Sequence, residues 1–169
     1  MDGVLFRVDA GPVIGMGHLQ RSLSLAAAFK STNVPVLFMT NGDLTSKARI
    51  ERFGCEHIPV VQGDSWTQTD CRYTLENARS HGFSTIVVDG YYQDPNYLLG
   101  LRNAGFFVCA IDDNAPHAFP CHMVVNGDIH ARQLNYESPF EDTQFLLGPQ
   151  YSILRPEFCE PIKGEYAAA

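Results

Sequence analysis

Val4-Leu5-Phe6-Arg7-Val8, followed by Asp9-Ala10-Gly11-Pro12-Val13-Ile14-Gly15-Met16-Gly17-His18-Leu19-Gln20-Arg21, is the stretch whose reading decides the fold. A strand-like run enters a glycine-rich turn, and the turn enters a helix over residues 19–29. Leu19, Leu23, Ala26 and Ala27 fall on one stripe of that helix. The unit then recurs. Residues 34–39 read as a second strand and 44–53 as a short helix before Gly54. Residues 55–61 read as a third strand and 66–81 as a helix stopped by Gly82. Thr85-Ile86-Val87-Val88 shows no alternation, as expected of a strand covered on both faces. Residues 95–104 give another helix and 106–111 a fifth strand. Met123-Val124-Val125 and Phe145-Leu146-Leu147 give two shorter strands. This rhythm predicts an α/β fold, a Rossmann-like parallel sheet with helices on both faces. The domain is expected to fill residues 1–155, with 156–169 as a linker or truncated tail.

At 169 residues the chain has the length of one domain with a sizeable core. Its 45% hydrophobic and 18% charged residues are those of a globular protein. A formal charge of −7 without a basic stripe argues against nucleic acid and against an anionic membrane surface as partners. No apolar run approaches the roughly 20 residues of a membrane span. Met1-Asp2-Gly3-Val4-Leu5-Phe6 carries no signal-peptide pattern. The five cysteines, Cys55, Cys71, Cys109, Cys121 and Cys159, are widely spaced and form no CxxC, which fits a reduced, cytoplasmic protein. Cys121-His122 would be half a zinc site, and no second pair has the spacing to complete it. Neither a metal nor a cofactor is expected.

Parallel sheets bind ligands at the carboxyl ends of their strands. Asp9 to His18 follows the first strand, Asp89-Gly90-Tyr91-Tyr92 the fourth, Asp112-Asp113-Asn114 the fifth and Asn126-Gly127-Asp128 the sixth. Each segment also reads as an ordinary cap or turn. Four of them at one edge favour a site. Asp112 and Asp113 form a carboxylate pair that Mg²⁺ could bridge, and a turn before Asn114-Ala115-Pro116 explains them as well. Tyr91 and Tyr92 could both meet a ligand, with packing against the sheet the plainer role for Tyr92.

Gly15 and Gly17 allow close approach of backbone to a ligand. His18 falls at the start of a helix, where N–H groups favour developing negative charge, and Arg21 falls one turn on. The third glycine of the dinucleotide fingerprint is absent, and so is a P-loop lysine. A neutral imidazole at this place suits general-base chemistry, and a plain capping role suits it too. Asp9, just past the first strand, could orient the imidazole or touch a ligand hydroxyl.

The loop Ile14-Gly15-Met16-Gly17-His18-Leu19-Gln20-Arg21 resembles the G-x-G-H-x-x-R loop of the UDP-sugar hydrolases of the pseudaminic-acid pathway and of the related spore-coat polysaccharide proteins. Val87-Val88-Asp89-Gly90-Tyr91-Tyr92 resembles their strand followed by Asp-x-Tyr, and Ile111-Asp112-Asp113 their Asp-Asp loop. Leu147-Gly148-Pro149-Gln150-Tyr151 with Ser152-Ile153-Leu154-Arg155-Pro156-Glu157-Phe158 resembles their Gly-x-x-Tyr-x-x-Leu-Arg-x-Glu-Phe segment, and Asn126 also fits. The resemblance covers nearly the whole chain. Some members carry histidine where this chain has Gly90.

The resemblance implies the N-terminal half of a two-domain GT-B-type fold, related to the peptidoglycan glycosyltransferase that uses UDP-N-acetylglucosamine. It implies hydrolysis of a UDP-linked diacetamido-trideoxy hexose by attack of water at C1. His18 would be catalytic. Asp9, Gly15, Gly17, Arg21, Asp89, Tyr91, Asp112, Asn126 and Arg155 would bind substrate, with Asp89 and Tyr91 facing the sugar and Arg155 in the closing segment. A C-terminal nucleotide-binding domain, absent from this chain, would supply most UDP contacts. The face it would cover is expected to be apolar enough to pair two copies as a homodimer. Two other functions compete with the hydrolase: the acceptor-binding half of a glycosyltransferase, and a non-catalytic sugar-binding module.

Overall fold

The computed structural model describes residues 2–11, 14–60 and 66–158, the side chains of Trp66 and Thr67 excepted. The expected packing role of Trp66, Cys159 and residues 159–169 of the expected tail lie outside the described residues. The elements run β1 (Val4–Val8), α1 (Gly17–Ser31), β2 (Val36–Thr40), α2 (Leu44–Arg52), β3 (Glu56–Pro59), α3 (Trp66–Ser80), β4 (Thr85–Asp89), α4 (Pro95–Asn103), β5 (Phe107–Ile111), β6 (Met123–Asn126) and β7 (Gln144–Leu147). Every strand pairs parallel to its neighbours in the order β3-β2-β1-β4-β5-β6-β7. This is the α/β, Rossmann-like sheet that the alternating pattern predicts. The order reverses at β1 and β4, which is where such sheets form a crevice.

Two cores flank the sheet. Leu19, Leu23 and Ala26 of α1 and Ile50 of α2 pack with Phe6, Val8, Phe38 and Val87 on one face. Ala78 of α3 and Tyr97, Leu98 and Leu101 of α4 pack with Leu5, Met39, Ile86 and Val88 on the other. Successive strand residues point to opposite faces. Along β1 that parity sends Val4, Phe6 and Val8 toward α1 and α2, and Leu5, Arg7 and Asp9 toward α3 and α4. Cys109 of β5 is a small core hydrophobe, as expected.

Local chemistry sets the helix boundaries. The Asp43 carboxylate accepts from the Ser46 backbone N–H at 3.0 Å and caps α2, while Asp94 accepts from that of Tyr97 at 2.8 Å and caps α4, with Pro95 in its first turn. Strand β3 is shorter than the predicted 55–61. It is an edge strand ending at Pro59, which has no N–H to donate. Helix α1 begins two residues before the predicted stripe, so His18 lies inside its first turn. Among the described residues no helix is long and apolar enough to cross a membrane.

Candidate functional site

The glycine loop closes on itself before α1. Gly15 donates to the Gly11 carbonyl at 2.7 Å and Gly11 to the Gly15 carbonyl at 3.3 Å. Gly15 holds φ +88, a conformation that L side chains rarely adopt. No side chain caps α1 at Met16. Among the described residues nothing lies within 4 Å of a Cβ placed on Gly15 or Gly17.

His18 is 6% exposed and its Nδ1 lies 2.5 Å from Asp89 Oδ1. Two lone pairs cannot face each other at that distance, so Nδ1 carries the proton and donates to the carboxylate; Arg21 Nη2, 2.9 Å from Nδ1, gives its own proton to the same Asp89 oxygen. In the neutral ring Nε2 is then the free acceptor, and among the described residues it has no hydrogen-bond partner. The Tyr91 ring meets the imidazole edge-on, centroids 4.6 Å apart.

Asp89 is fully buried. Besides His18 it accepts from Arg21 Nε at 2.8 Å, Arg21 Nη2 at 2.6 Å and Ser22 Oγ at 3.0 Å. Its two oxygens are therefore occupied. Where the resemblance implies that it faces a sugar, the described partners of its carboxylate are His18, Arg21 and Ser22. Arg21 reaches across with Nη1 to Asp113 at 2.5 Å, tying α1 to the loop after β5. Burial works against the Arg21 charge, but the hydrogen bonds and charges of Asp89 and then Asp113 outweigh it and hold the guanidinium firmly ionised.

Asp9 is fully buried and does not orient His18. The reason is strand parity: Asp9 points toward α3 and α4, whereas Asp89, whose carbonyl accepts from the Asp9 N–H at 2.9 Å, points toward α1. The Asp9 carboxylate instead accepts from Arg7 Nη1 at 3.0 Å, from the Tyr91 backbone N–H at 3.1 Å and weakly from Gln93 Nε2 at 3.5 Å. Arg7 continues the chain through Nε to Asp70 at 2.9 and 3.0 Å. Thr74 donates to Asp70 at 3.2 Å and pairs with the Tyr97 hydroxyl at 2.9 Å. This buried network fixes the loop that carries Tyr91. Sequence reading passed over it, although an arginine inside the apolar run of β1 was its signal.

Asp112 and Asn126 are tied to each other rather than to open space. The Tyr136 hydroxyl donates to Asp112 Oδ2 at 2.6 Å and accepts from Asn126 Nδ2 at 2.8 Å. Asp112 also accepts from the backbone N–H groups of Asn114 and Ala115 at 2.8 and 2.7 Å, and Asn126 from that of Asp128 at 2.8 Å. The turn reading of Asp112 thus holds. Burial, then the hydrogen bond to Asp112, raises the Tyr136 hydroxyl pKa far above its ordinary value. Tyr136 lies in an irregular stretch with no periodic pattern, and nothing in the sequence pointed to it. Arg155 lies over the Phe158 ring, 4.7 Å from its centroid. Tyr92 is 45% exposed and not packed away. Among the described residues no three His, Cys, Asp or Glu side chains gather to hold a metal.

Two hollows flank this edge. One of about 210 Å³ lies beside Arg21, between Asp113, Gly127 and Tyr151. The other, of about 110 Å³, lies behind Tyr91 and holds Gln93 in its wall. A larger groove of about 580 Å³ runs between α3 and α4 and is lined by none of the predicted site residues.

No family model matches the chain. It is 27% identical over 165 residues to the UDP-2,4-diacetamido-2,4,6-trideoxy-beta-L-altropyranose hydrolase of Campylobacter jejuni, covering 95% of this chain and 54% of that protein. It is 25% identical over 154 residues to an uncharacterised protein of Methanocaldococcus jannaschii, covering 89% of this chain and 30% of that one. The chain thus spans about half, or less, of these curated relatives. Among solved structures it is similar to MurG of Acinetobacter baumannii, with a TM-score of 0.52 at 15% identity over 72% of this chain and 40% of that one. It is also similar to a glycosyltransferase of Rickettsia africae, with a TM-score of 0.54 at 12% identity over 66% and 29%. These likenesses place the fold with the N-terminal domains of GT-B-type glycosyltransferases.

Proposed function

We propose that this chain is the sugar-facing part of a nucleotide-sugar hydrolase that releases UDP from a UDP-linked diacetamido-trideoxy hexose. The observation that carries the reading is the 2.5 Å bond from His18 Nδ1 to the buried Asp89, which leaves Nε2 as the free acceptor. The sequence likeness to a UDP-sugar hydrolase supports the substrate class. Water attacks C1 as the bond from C1 to the diphosphate oxygen breaks, through an oxocarbenium-like state. The water proton goes to Nε2 of His18, and the electron pair of the broken bond leaves with UDP. Asp89 holds the ring's tautomer and stabilises the imidazolium that forms, Arg21 and Ser22 hold Asp89, and Tyr91 lies against the sugar. Gly15 and Gly17 leave the space the ring needs. A second domain supplies the diphosphate contacts, with Arg155 in the segment that leads to it, so this chain alone turns over little or not at all.

The likeness to two glycosyltransferase structures favours one second reading, an acceptor-binding half. There Nε2 would take the proton of an acceptor hydroxyl in place of water. Phosphorus NMR of the UDP-sugar, with this chain alone and with the polypeptide that follows it, tests both. Release of free sugar and UDP that needs both pieces supports the hydrolase. Conversion only when an acceptor is added supports the transferase. No UDP from folded pieces under either condition overturns both.

A further inference from the structure

Three atoms meet beside the first turn of α1. His18 Nδ1 lies 2.5 Å from Asp89 Oδ1 and 2.9 Å from Arg21 Nη2, and Nη2 lies 2.6 Å from the same oxygen. The carboxylate only accepts and the guanidinium only donates, whereas the imidazole nitrogen can do either. Two arrangements are therefore open to the neutral ring. In one, Nδ1 carries the proton and donates to Asp89. In the other, Nδ1 turns its lone pair to Arg21 and the proton sits on Nε2. The first leaves Nε2 an acceptor and the second does not. The balance is electrostatic: the Asp89 anion favours an N–H at Nδ1, and the Arg21 cation favours a lone pair there.

Asp113 bears on that balance from the other end of the guanidinium. Its Oδ1 lies 2.5 Å from Arg21 Nη1, while Nε and Nη2 are spent on the two oxygens of Asp89. Two carboxylates thus hold the fork from two sides, a geometry that fixes a guanidinium firmly. Asp113 also supplies the second negative charge, which offsets the cation next to Nδ1. The Arg21 side chain is only 23% exposed and that of Asp113 35%, so water screens the pair in part. The place of Asp113 is set by its own loop. Asp112 accepts from the backbone N–H groups of Asn114 and Ala115 and from the Tyr136 hydroxyl. Ala115 holds φ +49, an uncommon conformation for a residue with a Cβ, and winds the turn tightly after Asp113.

We propose that Asp113 is a positioning residue for His18: acting through Arg21, it keeps the imidazole proton on Nδ1 and the lone pair on Nε2. Without the Asp113 charge, a less compensated cation stands 2.9 Å from Nδ1 and draws the lone pair toward itself. The proton then moves to Nε2, and the ring can no longer accept one there. A carboxylate in the loop after β5 is in this way coupled to a histidine on α1 by one arginine. The assignment rests on the reading of His18 as the base and names the residue that holds it in the accepting tautomer.

Nitrogen-15 NMR of the labelled chain reads the tautomer without turnover, because a ring nitrogen with a proton and one with a lone pair resonate far apart. Spectra are taken at about pH 8.5, where an ordinary imidazole is neutral. The His18 signals are those missing from His18→Gln. In the unaltered chain Nδ1 should carry the proton. Asp113→Asn keeps the shape without the charge and should lower the ratio of Nδ1–H to Nε2–H by about tenfold. Asp113→Glu should restore it. Thermal melting shows that each variant is folded, and Asp113→Ser takes the place of an Asp113→Asn that is not. An unchanged ratio without the charge, a loss that Asp113→Glu does not restore, or a proton on Nε2 in the unaltered chain overturns the proposal. Phosphorus NMR reads the hydrolase separately. A tautomer that depends on Asp113 without UDP release keeps the role of Asp113 and overturns the hydrolase. UDP release with a ratio indifferent to Asp113 does the reverse.

Discussion

His18 Nδ1 and Asp89 Oδ1 sit 2.5 Å apart, one on the first turn of α1 and the other at the last residue of β4, with the carboxylate wholly buried. The pairing fixes the tautomer of the imidazole. On the proposed reaction, His18→Ala should lower turnover by roughly 10²–10⁴-fold and leave UDP affinity nearly unchanged. Asp89→Asn keeps the shape but can present its NH₂ to Nδ1, which then swaps tautomer and puts the proton on Nε2. A loss of similar size is expected, about 10²–10⁴-fold. Steady-state rates with the UDP-sugar, beside UDP binding by calorimetry, check both. Unchanged turnover in either variant removes His18 from the chemistry.

The ion pairs of Arg7 are almost wholly shielded from water, with Asp70 Oδ2 2.8 Å from Nη2 and Asp9 Oδ1 3.0 Å from Nη1. Burial works against this charge, and Asp70, then Tyr97 and Asp9, outweigh it and hold the guanidinium ionised. Arg7→Met would leave two carboxylates buried without their cation. That should cost about 3–5 kcal/mol of stability, read as a fall in the urea midpoint. The same variant should also loosen the Tyr91 loop, since Asp9 loses its anchor. A change below about 1 kcal/mol would mean that water reaches the pair.

The strand-and-helix rhythm was plain because each β element is a short apolar run closed by turn residues, and the Gly15-Met16-Gly17-His18 loop marked the edge that matters. What sequence could not give was parity across neighbouring strands. Asp9 and Asp89 follow different strands and look equivalent in a linear reading, yet they point to opposite faces of the sheet. Only the register, with Val8 opposite Asp89, sends Asp89 to the histidine and Asp9 to Arg7. Asp112 and Asn126 were found as loop residues, but their shared partner Tyr136 comes from a segment without period. Asp70 and Gln93 were hidden because their partners Arg7 and Asp9 lie 63 and 84 residues away in sequence.

Gly90 stands where some members of the family that the chain resembles carry histidine, and the packing around it is tight. A Cβ there would collide with the Asp9 carboxylate and Gln93 Oε1, both on buried side chains held by the Arg7 network. Gly90→Ala should therefore destabilise the chain by about 1–3 kcal/mol, the usual cost of overpacking, and Gly90→His by more. Thermal melting measures both. A Gly90→His variant as stable as the parent would show that Asp9 and Gln93 can move aside together.

Alkaline pH should unfold the chain through its buried thiols. Burial pushes the Cys109 thiol up to about 12, helped by the charges of Cys121 and Asp89, and pushes Cys121 up to about 11. In the unfolded chain both ionise near the ordinary value of about 9. Above that pH the unfolded state releases protons that the folded state keeps, so its free energy falls relative to the native state. The contribution of these thiols to stability is complete below about pH 9 and is lost as pH rises through 11 to 12. The urea midpoint should fall between pH 8 and pH 10, and less in Cys109→Ala measured against its own value at pH 8. Iodoacetamide should label both thiols slowly at pH 8 in the native protein and quickly in urea. A midpoint equal at the two pH values, or fast native labelling of Cys109, would contradict the burial of these side chains.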